Sequence, residues 1–139
     1  MQVHCGAVAS VKRPIKWKEL RGKISLAIVM QKEFAKSNPN LRIDLIDTPD
    51  KTGFVLNHPA YPQAKVKVNF LDGQLIEISC TYKKTDDADS RHWEDRLGFH
   101  IDDRDQIHFT NKGDIISDDD AALLILAPVR DPGFQPPPA

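Results

Sequence analysis

Two histidines, His100 and His108, stand at mirror positions in the segment 97–109, Leu-Gly-Phe-His-Ile-Asp-Asp-Arg-Asp-Gln-Ile-His-Phe. Folding this segment about Arg104 sets His100 opposite His108, Ile101 opposite Ile107 and Phe99 opposite Phe109. Directly opposed residues of an antiparallel pair bring their Cβ atoms to roughly 4.5–5.5 Å. Two imidazoles at that separation could share a zinc or copper ion, with an oxygen from Asp102 on the same face. They could also form a pair whose charge changes near neutral pH. The ligand set is incomplete, because the chain has no His-Glu-x-x-His and no Cys-x-x-Cys run. The plainer reading places both histidines on the solvent side of a sheet, and no cofactor is expected.

The other charged clusters have plain readings too. Asp102, Asp103 and Asp105 resemble the opening of a calcium loop. That loop needs Gly at its sixth position, where Ile107 stands, and Glu at its twelfth. A hairpin turn with Asp105 in the left-handed conformation accounts for them. Asp118, Asp119 and Asp120 follow Ser117, which is a helix-start signature, and their charge suits the positive end of the helix. Lys12, Arg13, Lys16, Lys18, Arg21 and Lys23 surround Trp17 and could contact phosphates while the ring stacks on a base. A pI near 6.5 argues against a dedicated nucleic-acid binder. No Gly-x-Ser-x-Gly, phosphate-binding loop or dinucleotide fingerprint is present, so no catalytic residue is assigned.

The elements that carry these residues follow from hydrophobic period. Strict alternation in 97–109 describes a hairpin with Phe and Ile on the core side and the histidines on the other. From Lys16 to Ser37 the period becomes helical, with Trp17, Leu20, Ile24, Ala27, Ile28, Phe34 and Ala35 on one stripe. Asn38-Pro39-Asn40 ends this helix. Residues 41–45, 54–56, 64–71 and 74–83 read as strands. For the hairpin around Asp72-Gly73, a loop of Leu71, Asp72 and Gly73 pairs Val68 with Ile76, Val66 with Ile78 and Ala64 with Cys80. A polar loop is expected from Lys83 to Ser90, and a short helix over 118–127 ended by Pro128.

The expected architecture is a two-layer α+β fold. A five- or six-stranded antiparallel meander carries a long N-terminal helix and a short C-terminal helix on one face. Residues 1–14 read as a flexible leader, 15–130 as one domain and 131–139 as a proline-rich tail. The tail segment Phe134–Pro138 reads as a disordered end, with a polyproline ligand as the alternative.

Composition bounds the function. A hydrophobic share of 40% and a charged share of 28% fit a globular chain. The longest apolar run, Ala121 to Val129, is far short of a membrane span, and no secretory signal is visible. A cytoplasmic protein without a membrane role is therefore expected. Cys5 and Cys80 do not make a disulfide framework, and Cys80 reads as a buried hydrophobe. Charge is uneven: residues 1–36 carry net +6 and residues 86–120 net −8. Folding either joins these segments and cancels the field, or leaves two faces of opposite sign.

One feature points to a partner. Leu26, Val29 and Met30 lie off the core stripe of the long helix, and residues 121–127 carry no polar side chain. Exposed together, such residues mark an interface. Trp93, flanked by Arg91, His92 and Glu94, is a further binding candidate or a loop anchor. The first functional expectation is a non-catalytic protein-interaction or regulatory module, as a homodimer or with a protein partner. The alternative is a small-ligand or metal-dependent enzyme using His100, His108 and Asp102. A weak nucleic-acid contact through residues 12–23 is the third.

Overall fold

The mirrored segment folds as its pattern requires. In the computed structural model, which describes the backbone of residues 2–138 and the side chains of residues 8–138, β5 (Arg91–Ile101) and β6 (Ile107–Asn111) pair antiparallel. Their register is Phe99↔Phe109, His100↔His108 and Ile101↔Ile107. Asp105 adopts a positive φ of 59° in the turn. Asp102 accepts from the Arg104 and Gln106 amides at 2.9 Å each, which closes the turn.

Before this hairpin come β1 (Asp44–Asp47), β2 (Gly53–His58), β3 (Gln63–Leu71) and β4 (Leu75–Lys83); after it comes β7 (Asp114–Ile116). The sheet thus has seven antiparallel strands in the order β1 to β7, not five or six. The uncounted strand is β7, only three residues long, which is too short to display alternation. Strand β5 begins at Arg91, directly after the polar loop, so Trp93 belongs to the sheet.

The β3–β4 register differs from expectation by two residues. Leu71 faces Leu75, Phe70 faces Ile76, Val68 faces Ile78 and Val66 faces Cys80. The loop is Asp72-Gly73-Gln74, with φ of 54° at Asp72 and 66° at Gly73. A shift of two keeps every side chain on its own face, so burial alone does not separate the registers. The turn decides. Two successive left-handed residues suit Asp and Gly, and the Gln74 amide closes on the Leu71 carbonyl at 2.9 Å.

Helix α1 (Gln2–Ser37) starts well before Lys16 and carries Pro14 within it. Its core stripe is Trp17, Leu20, Ile24 and Ile28, all buried. Phe34, expected on that stripe, points away from the core and is 61% exposed. It sits ten residues past Ile24, nearly a quarter-turn short of realignment at 3.6 residues per turn. Helix α2 (Asp118–Arg130) opens at Ser117, whose hydroxyl accepts from the Asp120 amide at 3.0 Å. It runs through Pro128 to Arg130, and Asp131 closes it by donating to the Ala127 carbonyl at 3.0 Å. Proline removes its own donor and crowds the carbonyl four residues back, and here the helix carries that loss close to its end.

Both helices lie on the face formed by Phe54, Leu56, Val66, Val68, Ile76, Ile78, Leu97 and Phe109, each fully buried. Trp17 stacks on Phe54 and Phe70, while the neighbouring Lys16 ammonium lies 5.2 Å from the Phe109 ring. One turn of α1 therefore touches β2, β3 and β6 together. Strand β5 changes partners along its length, from β4 over residues 91–97 to β6 over residues 98–101.

The oppositely charged segments meet in the fold. Lys16 pairs with Asp118 at 2.6 Å and Lys23 with Asp119 at 2.9 Å, and Lys12 donates to the Asp105 carbonyl. The basic helix lies against the acidic segment.

Candidate functional site

The two flanks of α1 carry the unused apolar surface. Leu26, Met30 and Phe34 recur at intervals of four, so they form one row along the helix. They are 62%, 59% and 61% exposed. Leu123 of α2 faces the same groove and is 51% exposed. The groove has a volume of about 560 Å³, with Lys23 and Asp119 among its polar lining and Arg130 as a further cation. Val29 lies on the other flank, beside Ile46 of β1. The two helices therefore do not cover one another's outer residues. Leu26, Val29 and Met30 had a sequence signal, their distance from the core stripe. Leu123 had one in the all-apolar run 121–127; Phe34 had none, because its spacing read as part of the core stripe.

Trp93 is half-buried on the helix-facing side of the sheet, where Phe134 stacks on it. Neither partner choice was visible from its charged neighbours.

On the opposite side of the sheet, His100 and His108 stack with ring centroids 6.4 Å apart at 27°. His108 Nε2 donates to Asp102 Oδ2 at 2.8 Å. Asp102 thereby has one oxygen on His108 and the other on two backbone amides. The three residues are together, but the carboxylate is spent on the turn and on one ring. Among the described residues no group of three His, Cys, Asp or Glu is disposed to hold a metal ion. The arrangement does orient His108 and fix its tautomer, with the proton on Nε2.

The Asp102 carboxyl is held well below its usual value, at about 2, first by the His108 hydrogen bond and then by the Gln106 amide. A carboxylate whose folded value is lowered binds fewer protons folded than unfolded just below pH 4. Its stabilising contribution is therefore complete above the ordinary value of 3.8 and fades as pH falls toward 2. Asp102→Asn is expected to flatten this part of the acid limb. Urea midpoints of both proteins between pH 2 and pH 5 check it; parallel curves would refute it.

Of the basic cluster, Lys12, Lys16, Arg21 and Lys23 are all engaged within the chain, Arg21 by Asp47. Trp17 is 4% exposed and has no face free for a base. Burial pushes the Cys80 thiol up to about 12, and the Asp95 charge adds to this, so it stays protonated and inert. The Cys5 side chain lies outside the described residues. Among the described residues no helix is long and apolar enough to cross a membrane.

The fold and site thus define a two-layer α+β protein with an apolar helical flank and a polar outer sheet wall. No protein-family model, curated protein or solved structure matches this chain.

Proposed function

We propose that the chain is a non-catalytic protein-interaction module that docks a second protein chain, in the simplest case another copy of itself, through the groove between α1 and α2. The observation that carries this reading is the row Leu26, Met30, Phe34 with Leu123, four large apolar side chains each more than half exposed around one concave surface. Contiguous exposed apolar surface of this kind is a common mark of an interface. An amphipathic helix laid into such a groove would use anchors at the same four-residue spacing. Lys23, Asp119 and Arg130 at the margin supply a polar rim that sets orientation more than affinity.

Light scattering behind size-exclusion at tens of micromolar tests it. The wild-type chain is expected at twice 15.7 kDa. The double variant Leu26→Glu, Met30→Glu is expected at the monomer mass with an unchanged circular dichroism spectrum, because neither side chain belongs to the core. A wild-type monomer removes the self-association form of the proposal.

A further inference from the structure

A second surface lies behind α2. A helix with its side chains is about 10–12 Å wide, and strands lie about 4.8 Å apart. Two helices cannot roof seven strands. The helix-facing side chains at the start of β5 are covered instead by the C-terminal segment. The Phe134 ring lies 5.6 Å from Trp93 at 23° and 5.4 Å from Tyr82 at 60°. Arg91 Nη2 donates to the Pro137 carbonyl. A cavity of about 240 Å³ remains beneath, lined by Cys80, Trp93, Asp95, Phe134 and Pro137 among others. Beside it a second cavity of about 250 Å³ is lined by His58, Tyr61, Tyr82 and Arg130 among others. Pro128 lines both, and Tyr82, which lines the second, carries Phe134. Lifting Phe134 would join the two into one trough along the C-terminal half of α2.

The chemistry of this trough is that of proline-rich recognition. Residues 136–138 are prolines, which offer carbonyls and no amide donor. Aromatic side chains receive the apolar part of such a segment, and a side-chain donor takes a carbonyl. Here Trp93 and Tyr82 hold the Phe134 ring, and Arg91 takes the Pro137 carbonyl.

We infer that the trough is a docking site for an extended proline-rich segment of another protein, anchored by one aromatic side chain, and that Phe134–Pro138 fills it as a tethered competitor. This stands independently of the α1–α2 groove. The tether is Asp131-Pro132-Gly133, so the tail's effective concentration is on the order of millimolar. An incoming segment must outcompete that.

The probe is a fluorescein-labelled peptide of residues 131–139, titrated by anisotropy into full-length wild type and full-length Phe134→Ala. The variant is expected to bind at least about tenfold more tightly, because its own tail no longer competes. Adding Trp93→Ala should abolish binding, as should replacing the peptide's phenylalanine by alanine. In the wild type, millimolar unlabelled peptide should narrow the amide signals of residues 133–135 as the tail is released, while the sheet signals of β2 and β3 stay in place. Equal affinities for wild type and Phe134→Ala overturn the inference. So does absence of binding to a Phe134→Ala protein with a native circular dichroism spectrum, or a tail unmoved at saturating peptide.

Discussion

Replacing Trp17 by alanine is expected to cost about 3–5 kcal/mol of folding free energy, the range for truncating a large buried aromatic. The indole is 4% exposed and stacks on Phe54 and Phe70, both at 5.7 Å and within 20° of parallel. These two phenylalanines belong to adjacent strands, so one side chain fixes the height of α1 over β2 and β3. No neighbouring side chain is free to fill the space, because Leu20, Ile24 and Phe109 are themselves fully packed. Marginal domains have only about 5–15 kcal/mol to lose. Urea unfolding followed by far-UV circular dichroism measures the change. Trp93→Ala in the same assay is expected to cost about 1 kcal/mol, because that ring is only half-buried and lies under a removable segment. A loss at Trp93 as large as that at Trp17 would refute the assignment of the core.

The second large effect concerns a pair, and it is asymmetric. The Lys16 side chain is 10% exposed and its ammonium sits 2.6 Å from Asp118, whose side chain is 35% exposed. Asp118→Ala leaves a nearly buried positive charge over the Phe109 ring without its carboxylate. Removing one partner of a buried pair costs about 3–5 kcal/mol; partial exposure of Asp118 and the reach of the lysine stem reduce this to about 2 kcal/mol. Lys16→Met is different. It removes the buried charge itself and leaves Asp118 at the first turn of α2, where the helix end and water still favour a carboxylate. A cost below about 1 kcal/mol is expected. Urea midpoints at pH 7 for the two variants decide the order, and Lys16→Met costing more than Asp118→Ala would contradict it.

Much of the sheet was legible because strand period and turn chemistry agree. Around Arg104 the pairs of like side chains leave one register, and the structure has it. Around Gly73 the same reasoning admits two registers that bury the same residues. There the local backbone, with Asp72 and Gly73 both left-handed, makes the choice. Strand β7 escaped because three residues carry no period. The early start of α1 escaped because Pro14 reads as a boundary: it removes a hydrogen bond and crowds the carbonyl four residues back, although its fixed φ is helical.

The candidate sites divide in the same way. Leu26, Val29 and Met30 were visible because a helix needs only one apolar stripe to cover a sheet. The groove was not, since it depends on where α2 lies, and that is set by contacts between residues about one hundred positions apart, Lys16 with Asp118 and Lys23 with Asp119. Phe134 read as part of a tail because its neighbours are prolines and glycine. Only the folded chain shows that Trp93 and Tyr82, from two different strands, offer it a place.

The sequence by itself determined which residues alternate, which turn, and which helix faces are oily, because these follow from periods of two and of 3.6 along a local chain. The tertiary structure alone decided which strands Trp17 ties to α1, which of the oily faces stay open, and what covers the strip beside α2. Those outcomes depend on the relative widths of layers and on contacts between distant segments, and no local pattern encodes either.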